Sequence, residues 1–217
     1  MPKKQKKQKT KSKKQKTKSK KQKTKSKKQK TKSKKQNVKG SSILGYGKDG
    51  CIIDSVSCKE KEMTKENGFV AKIFKKSVII DKELHKKLSE IDPLEKRFAQ
   101  YHFCESSPIF DTNTRADIDE CIGDFEIDNN IIAFMRILEP MDGEKMTKVQ
   151  YRYLRESLKL LHENQISHGD LPGNVMVDPT DKLPRIIDWE NARQNADEMD
   201  IRIDNEAFLN NFKLLKI

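Results

Sequence analysis

No apolar run in the 217-residue chain approaches the roughly 18 residues that a membrane-spanning helix needs, so no membrane partner is expected. Cysteine is sparse: Cys51, Cys58, Cys104 and Cys121 are scattered, none forms a Cys-x-x-Cys pair, and no His stands at zinc-finger spacing from them. They are expected to be reduced thiols in an intracellular compartment, cytoplasmic or nuclear. Met1-Pro2-Lys3-Lys4 leads into no apolar segment, so no secretory leader is expected. Acid is missing altogether from residues 1–40, which hold 21 of the 46 Lys and Arg. The remaining 25 bases meet all 33 acids in residues 41–217, so a chain of net charge +13 is a basic tail on a domain of net charge −8.

The tail repeats Lys-Lys-Gln-Lys-Thr-Lys-Ser from Lys6, in copies 6–12, 13–19, 20–26 and 27–33, with a partial copy ending at Gln36. A period of seven suggests a coiled coil, but no apolar residue is present to form a seam. More than half of each copy is like charge, so residues 1–40 are expected to be extended and disordered. Two readings stand: a solvated appendage with no dedicated partner, or an arm for nonspecific contact with nucleic acid or another polyanion through residues 3–39. The absence of an aromatic residue for base stacking argues against base-specific recognition.

Gly40-Ser41-Ser42 marks the domain boundary, and residues 41–217 carry nearly all the core-forming side chains. The pattern predicts a strand, tight turn and strand over about 43–53, a strand at 69–74, and a helix over about 78–91 ended by Asp92-Pro93. A strand follows from Ile131 to Leu138, then a turn-rich connector at 139–143. A helix over about 147–163 has Leu154, Leu158 and Leu161 as its buried stripe. Short strands at 174–177 and 184–188 and a helix over about 203–214 complete the order, which reads as α+β with two lobes. Residues 104–130 carry no clear pattern.

Five motifs carry chemistry. Gly45, Gly47 and Gly50 fit Gly-x-Gly-x-x-Gly between two strands, where backbone N–H groups can approach phosphate closely; glycine turns between strands are also common. Lys72 stands inside the apolar strand Phe69–Phe74, where an ammonium needs an anionic partner or ligand. Glu83, with Glu90 as second choice, flanks the apolar face of the first helix. The segment Ile166-Ser167-His168-Gly169-Asp170-Leu171-Pro172-Gly173-Asn174-Val175-Met176 brings a carboxylate and an amide into one loop. Ile186-Ile187-Asp188-Trp189-Glu190 ends an apolar strand on an acid.

In this order the motifs resemble the protein kinase-like superfamily. His-Gly-Asp and Asp-Trp-Glu are similar to the forms found in aminoglycoside and choline phosphotransferases, and the whole resembles the small Ser/Thr protein kinases that large DNA viruses encode. The resemblance implies a two-lobed fold with a reduced C-terminal lobe: N-lobe about 41–138, hinge about 139–143, C-lobe about 144–217. It implies an ATP- and Mg²⁺-dependent phosphotransferase acting on a hydroxyl, with a Ser/Thr protein substrate as first reading. The alternatives are a small-molecule hydroxyl acceptor and a pseudokinase scaffold with a polyanion-binding tail. Lys72 and Glu83 would position phosphates, Asp170 would be the base, and Asn174 and Asp188 would hold metal. Gly45, Gly47, Gly50, Glu139 and Met141 would line the nucleotide site, and His168 would fix the loop. Three departures stand out. The loop is one residue short, with Asn174 four positions after Asp170 where the family has five and Pro172 in place of a polar residue; nothing after Asp188 resembles an activation loop; and Trp189-Glu190 replaces Phe-Gly.

Overall fold

The computed structural model describes residues 43–54, 56–58, 61, 63–104, 108–110, 114–123 and 130–214. The Lys-rich repeats, with their expected disorder and polyanion contact, lie outside these. The strands are β1 (Ile43–Tyr46), β2 (Gly50–Ile53), β3 (Val56–Ser57), β4 (Phe69–Phe74), β5 (His102–Phe103), β6 (Ile109–Phe110), β7 (Ile132–Arg136), β8 (Glu139–Pro140), β9 (Ile166–Ser167), β10 (Val175–Val177), β11 (Pro184–Ile186) and β12 (Arg193–Gln194). The helices are α1 (Lys82–Ile91), α2 (Thr114–Ile122), α3 (Lys148–Glu163) and α4 (Glu198–Asn211). The chain is α+β, as its pattern predicts.

Five strands form an antiparallel sheet in the order β1-β2-β4-β7-β5. The two-residue period of β4 divides its side chains between faces. Ala71 and Ile73 join Cys51, Ile53, Ile118 and Phe134 in one core, while Val70 and Phe74 pack with Tyr101, Ala133 and Met135 in another. Lys72 falls on the face of Val70 and Phe74. A third core gathers Leu84 and Leu88 of α1 with Leu154, Leu158 and Leu161 of α3, Ile186, Trp189, and Phe208 of α4. A small sheet, β11-β10-β8, sits at the connector. No helix among the described residues is long and apolar enough to cross a membrane.

Helix boundaries follow their caps. Helix α3 begins where expected, because Thr147 and Gln150 form a reciprocal capping box. Helix α1 begins at Lys82 and not near 78, because the Asp81 carboxylate accepts from Leu84 N–H at 3.0 Å. Helix α4 begins at Glu198, five residues before the expected start, because Asp197 and Asp200 form a second capping box. Helix α2 falls in the stretch that carried no clear pattern.

The expectation of reduced thiols is corrected. Cys51 of β2 is joined to Cys121 of α2, and Cys58 to Cys104, with Cα–Cα separations of 6.2 and 5.9 Å, both within disulfide range. The paired residues lie 70 and 46 positions apart, so only the folded chain brings them together.

Candidate active site

Separated segments meet at a cleft of about 400 Å³. The β1–β2 turn supplies Gly45, Gly47 and Gly50, with Ile52 beyond it; Lys72, Tyr101 and Met135 form another wall; Asp170, Asn174 and Asp188 complete it from the later loops. The turn is closed by Gly47 N–H donating to the Gly50 carbonyl at 2.8 Å. A Cβ on Gly50 would stand 2.0 Å from the Ile73 carbonyl oxygen, so only glycine lets β2 lie this close to β4.

Lys72 is on a central strand, opposite Ile52 of β2 and Ala133 of β7. Its ammonium is ion-paired with Asp188 and lies 2.5 Å from Glu190 Oε1. It donates to the Tyr101 hydroxyl at 2.9 Å, and that hydroxyl donates to Glu190 Oε1 at 3.0 Å. A buried ammonium is tolerable only with such partners. The two carboxylates differ. Burial, then the neighbouring Asp188, pushes Glu190 up to about 7. Burial also works against the charged form of Asp188, but hydrogen bonding with Glu190 and the Lys72 charge outweigh it and hold Asp188 below the usual carboxylate range.

The segment bearing these acids is held tightly. Asp188 adopts a left-handed conformation with φ of 69°. Trp189 donates from Nε1 to the Ala99 carbonyl at 2.7 Å and meets Phe98 and His168 edge-on. Buried His168 donates from Nε2 to the Ile187 carbonyl at 2.8 Å, which leaves Nδ1 to accept from Asp170 N–H at 3.3 Å. Burial lowers the pKa of this imidazole, which favours its neutral form.

The loop at 168–170 rests on α4. Asp204, 1 % exposed, accepts from His168 N–H at 2.6 Å, Gly169 N–H at 2.9 Å and His162 Nε2 at 3.2 Å. Its burial opposes ionisation, but these donors outweigh burial and lower its pKa. Gly169 has φ of +75°, and a Cβ there would stand 2.6 Å from the Asn191 carbonyl oxygen, so glycine follows His168 for steric reasons. Asp170 is exposed toward the cleft, with Asn191 Nδ2 at 3.4 Å from Oδ2, and Asn174 Nδ2 donates to the Asp170 carbonyl at 2.7 Å. That bond uses the amide nitrogen of Asn174 and leaves its oxygen as the acceptor atom.

Three sequence-named residues are placed elsewhere. Glu83 is exposed at the start of α1 and makes no hydrogen bond or ion pair with Lys72; α1 turns Leu84, His85 and Leu88 inward instead. Glu139 pairs with Val177 in β8–β10 and its carboxylate meets Lys182 at 2.9 Å, outside the cleft wall. Met141 packs against the helical core and lines a separate hollow with Gly143 and Phe212. The apolar lining of the cleft includes Ile52, Met135, Pro172 and Ile187, while Ile53, one residue on from Ile52, faces the core.

Sequence reasoning missed Tyr101, Glu190 and Asp204. Glu190 was visible as the third residue of Asp-Trp-Glu, but nothing in spacing pointed it at Lys72. Tyr101 and Asp204 carried no signal, because their partners are distant in sequence.

The oxygens of Asp188 and Asn174 are hard donors of the kind that Mg²⁺ takes. No group of three or more His, Cys, Asp or Glu among the described residues is placed to hold a metal ion. A metal here would therefore draw its remaining ligands from phosphate and water, as Mg²⁺ commonly does.

No family model matches the chain, and no curated protein matches it.

Proposed function

We propose that the chain is an ATP- and Mg²⁺-dependent phosphotransferase of minimal two-lobed kinase-like fold that transfers the γ-phosphoryl group of ATP to a hydroxyl. One observation carries the reading: Gly45, Gly47, Gly50, Lys72, Asp170, Asn174 and Asp188, picked from the sequence for phosphate chemistry, line a single cleft. Lys72 offers a cation to phosphate oxygens, and the glycine turn gives a polyphosphate room to approach. Asp170, exposed on the wall of the same cleft, would accept the proton as the acceptor hydroxyl attacks. Bound Mg²⁺, held by Asp188 and Asn174, would neutralise charge on the phosphates. The first acceptor reading is a Ser or Thr side chain of a protein.

A small-molecule acceptor is the second reading. A hollow of about 370 Å³, lined by Ser167, Gly169, Asp170, Asn191, Arg193, Asp200 and Ile203, shares Asp170 and Asn191 with the cleft, so an acceptor seated there would adjoin the base. An intracellular setting, cytoplasmic or nuclear, is part of the proposal although such compartments rarely keep disulfides like the two here; locating the tagged chain in its source cell tests it.

The test is label transfer from γ-labelled ATP with Mg²⁺ to a basic protein mixture, wild type against Asp188→Asn. Transfer by the wild type that the variant loses supports the reading. No transfer and no thermal stabilisation of the wild type by ATP refutes it; stabilisation without transfer favours a pseudokinase.

A further inference from the structure

We propose that Glu190, steadied by Tyr101, is the positioning residue for Lys72, the role that the sequence had suggested for Glu83; the inference rests on the phosphotransferase reading for its functional meaning. Two independent features point there. The first is what α1 does not do. Its only carboxylates, Glu83 and Glu90, are both exposed, and its inward face is Leu84, His85 and Leu88. His85 packs on Tyr101 with ring centroids 4.6 Å apart, so an imidazole occupies the side of α1 turned toward the Lys72 cluster.

The second is how Glu190 is held. Its side chain is 6 % exposed, and Oε1 receives both the Lys72 ammonium and the Tyr101 hydroxyl. The other oxygen, Oε2, is buried with no hydrogen-bond partner among the described residues. Oε1 is therefore the oxygen through which Glu190 orients the ammonium. The 3-10 turn Trp189–Asn191 and the Trp189 anchor to Ala99 fix where the carboxylate can reach.

This arrangement separates two duties that Asp188 alone could not serve. Asp188, with 30 % of its side chain exposed, faces the cleft and is available to a cation. Once it is so engaged, Glu190 and Tyr101 still hold Lys72 in line. A further consequence is that Lys72 is aligned without a carboxylate of α1, which contributes His85 packed on Tyr101 instead.

The experiment uses the full-length chain in four forms: wild type, Glu190→Gln, Glu190→Asp and Glu83→Gln. The first readout needs no activity. An amine-reactive ester is applied and the labelling rate of Lys72 is followed by peptide mass spectrometry, with Lys159 as an exposed reference. Loss of one charge-assisted contact should speed Lys72 labelling about tenfold in Glu190→Gln, less in Glu190→Asp, and not at all in Glu83→Gln, with Lys159 unchanged throughout. The second readout is steady-state kinetics: Glu190→Gln raises KM for ATP or lowers kcat by about tenfold or more while KM for the acceptor stays put, and Glu190→Asp recovers part of the loss. A merely structural role would move labelling at all buried sites and both KM values together. Unchanged Lys72 labelling in Glu190→Gln, or accelerated labelling in Glu83→Gln, overturns the proposal. Absence of ATP turnover in the wild type refutes the phosphotransferase reading instead, and the labelling result still decides the role of Glu190.

Discussion

Replacing Asp204 with Asn tests whether the loop at 168–170 is held in place by α4. The carboxylate is buried, with Oδ2 accepting from His162 and His168 N–H and Oδ1 from Gly169 N–H. Asn keeps one acceptor oxygen and turns an NH₂ toward one of the remaining donors. The change loses one charge-assisted bond, worth about 1.5–3 kcal/mol, and leaves a buried donor unpaired, so the expected destabilisation is about 3 kcal/mol. At about 2–4 °C per kcal/mol for a domain of this size, Tm should fall by about 6–12 °C. Calorimetry measures this, urea unfolding at constant m checks it, and hydrogen exchange at His168 and Gly169 should quicken. The lowered pKa of Asp204 sets the sign of the pH dependence. Its contribution is present above the ordinary carboxylate range and lost as pH falls through its folded pKa, so the gap between the two proteins narrows in acid. A variant melting within about 2 °C of wild type, with unchanged exchange at the two amides, would refute the reasoning.

Burial holds His85 down to about 4, against the pull of Asp81 and with His102 and Lys72 adding to the effect. As pH falls from about 6.5 to 4 the unfolded chain gains a proton that the folded chain refuses, so wild type should lose about 3 kcal/mol relative to His85→Phe; Glu190, whose raised pKa acts in the opposite sense, cancels in that difference. Reduction of the two disulfides should cost up to about 4 kcal/mol each by loop-closure entropy, read as a lower Tm in reductant, and thiol titration of the denatured, unreduced protein should find no free cysteine. Gly50→Ala should lower Tm by several degrees because its Cβ meets the Ile73 carbonyl, whereas Gly45→Ala, with nothing within 4 Å of its Cβ, should melt like wild type. If residues 3–39 are a polyanion arm, the logarithm of the binding constant for duplex DNA should fall linearly with the logarithm of salt concentration and binding should vanish when they are deleted; no binding by the full chain selects the solvated appendage instead.

Much was legible in the sequence because its signals are local. The apolar strand at 69–74, the Leu154, Leu158 and Leu161 stripe of α3 and the glycine turn of β1–β2 each lie within a few residues, and each can be read from a short window. The cleft residues Gly45, Gly47, Gly50, Lys72, Asp170, Asn174 and Asp188 could be named because their motifs, in this order, resemble those of the protein kinase-like superfamily, and that resemblance implied phosphate and metal roles for them. What only the tertiary structure decided is which groups share a space. Strand pleat put Ile52 at the cleft and Ile53 in the core, and a cap at Asp81 with an inward His85 left Glu83 in solvent. Packing of Trp189 delivered Glu190 to Lys72, and α4 delivered Asp204 to a loop far from it in sequence. The disulfides belong to the same class: four scattered cysteines say nothing of pairing until β2, α2 and their neighbours close the distance. Local propensity acts over one turn or one strand, whereas desolvation and charge pairing act between whichever groups the folded backbone brings within a few ångströms.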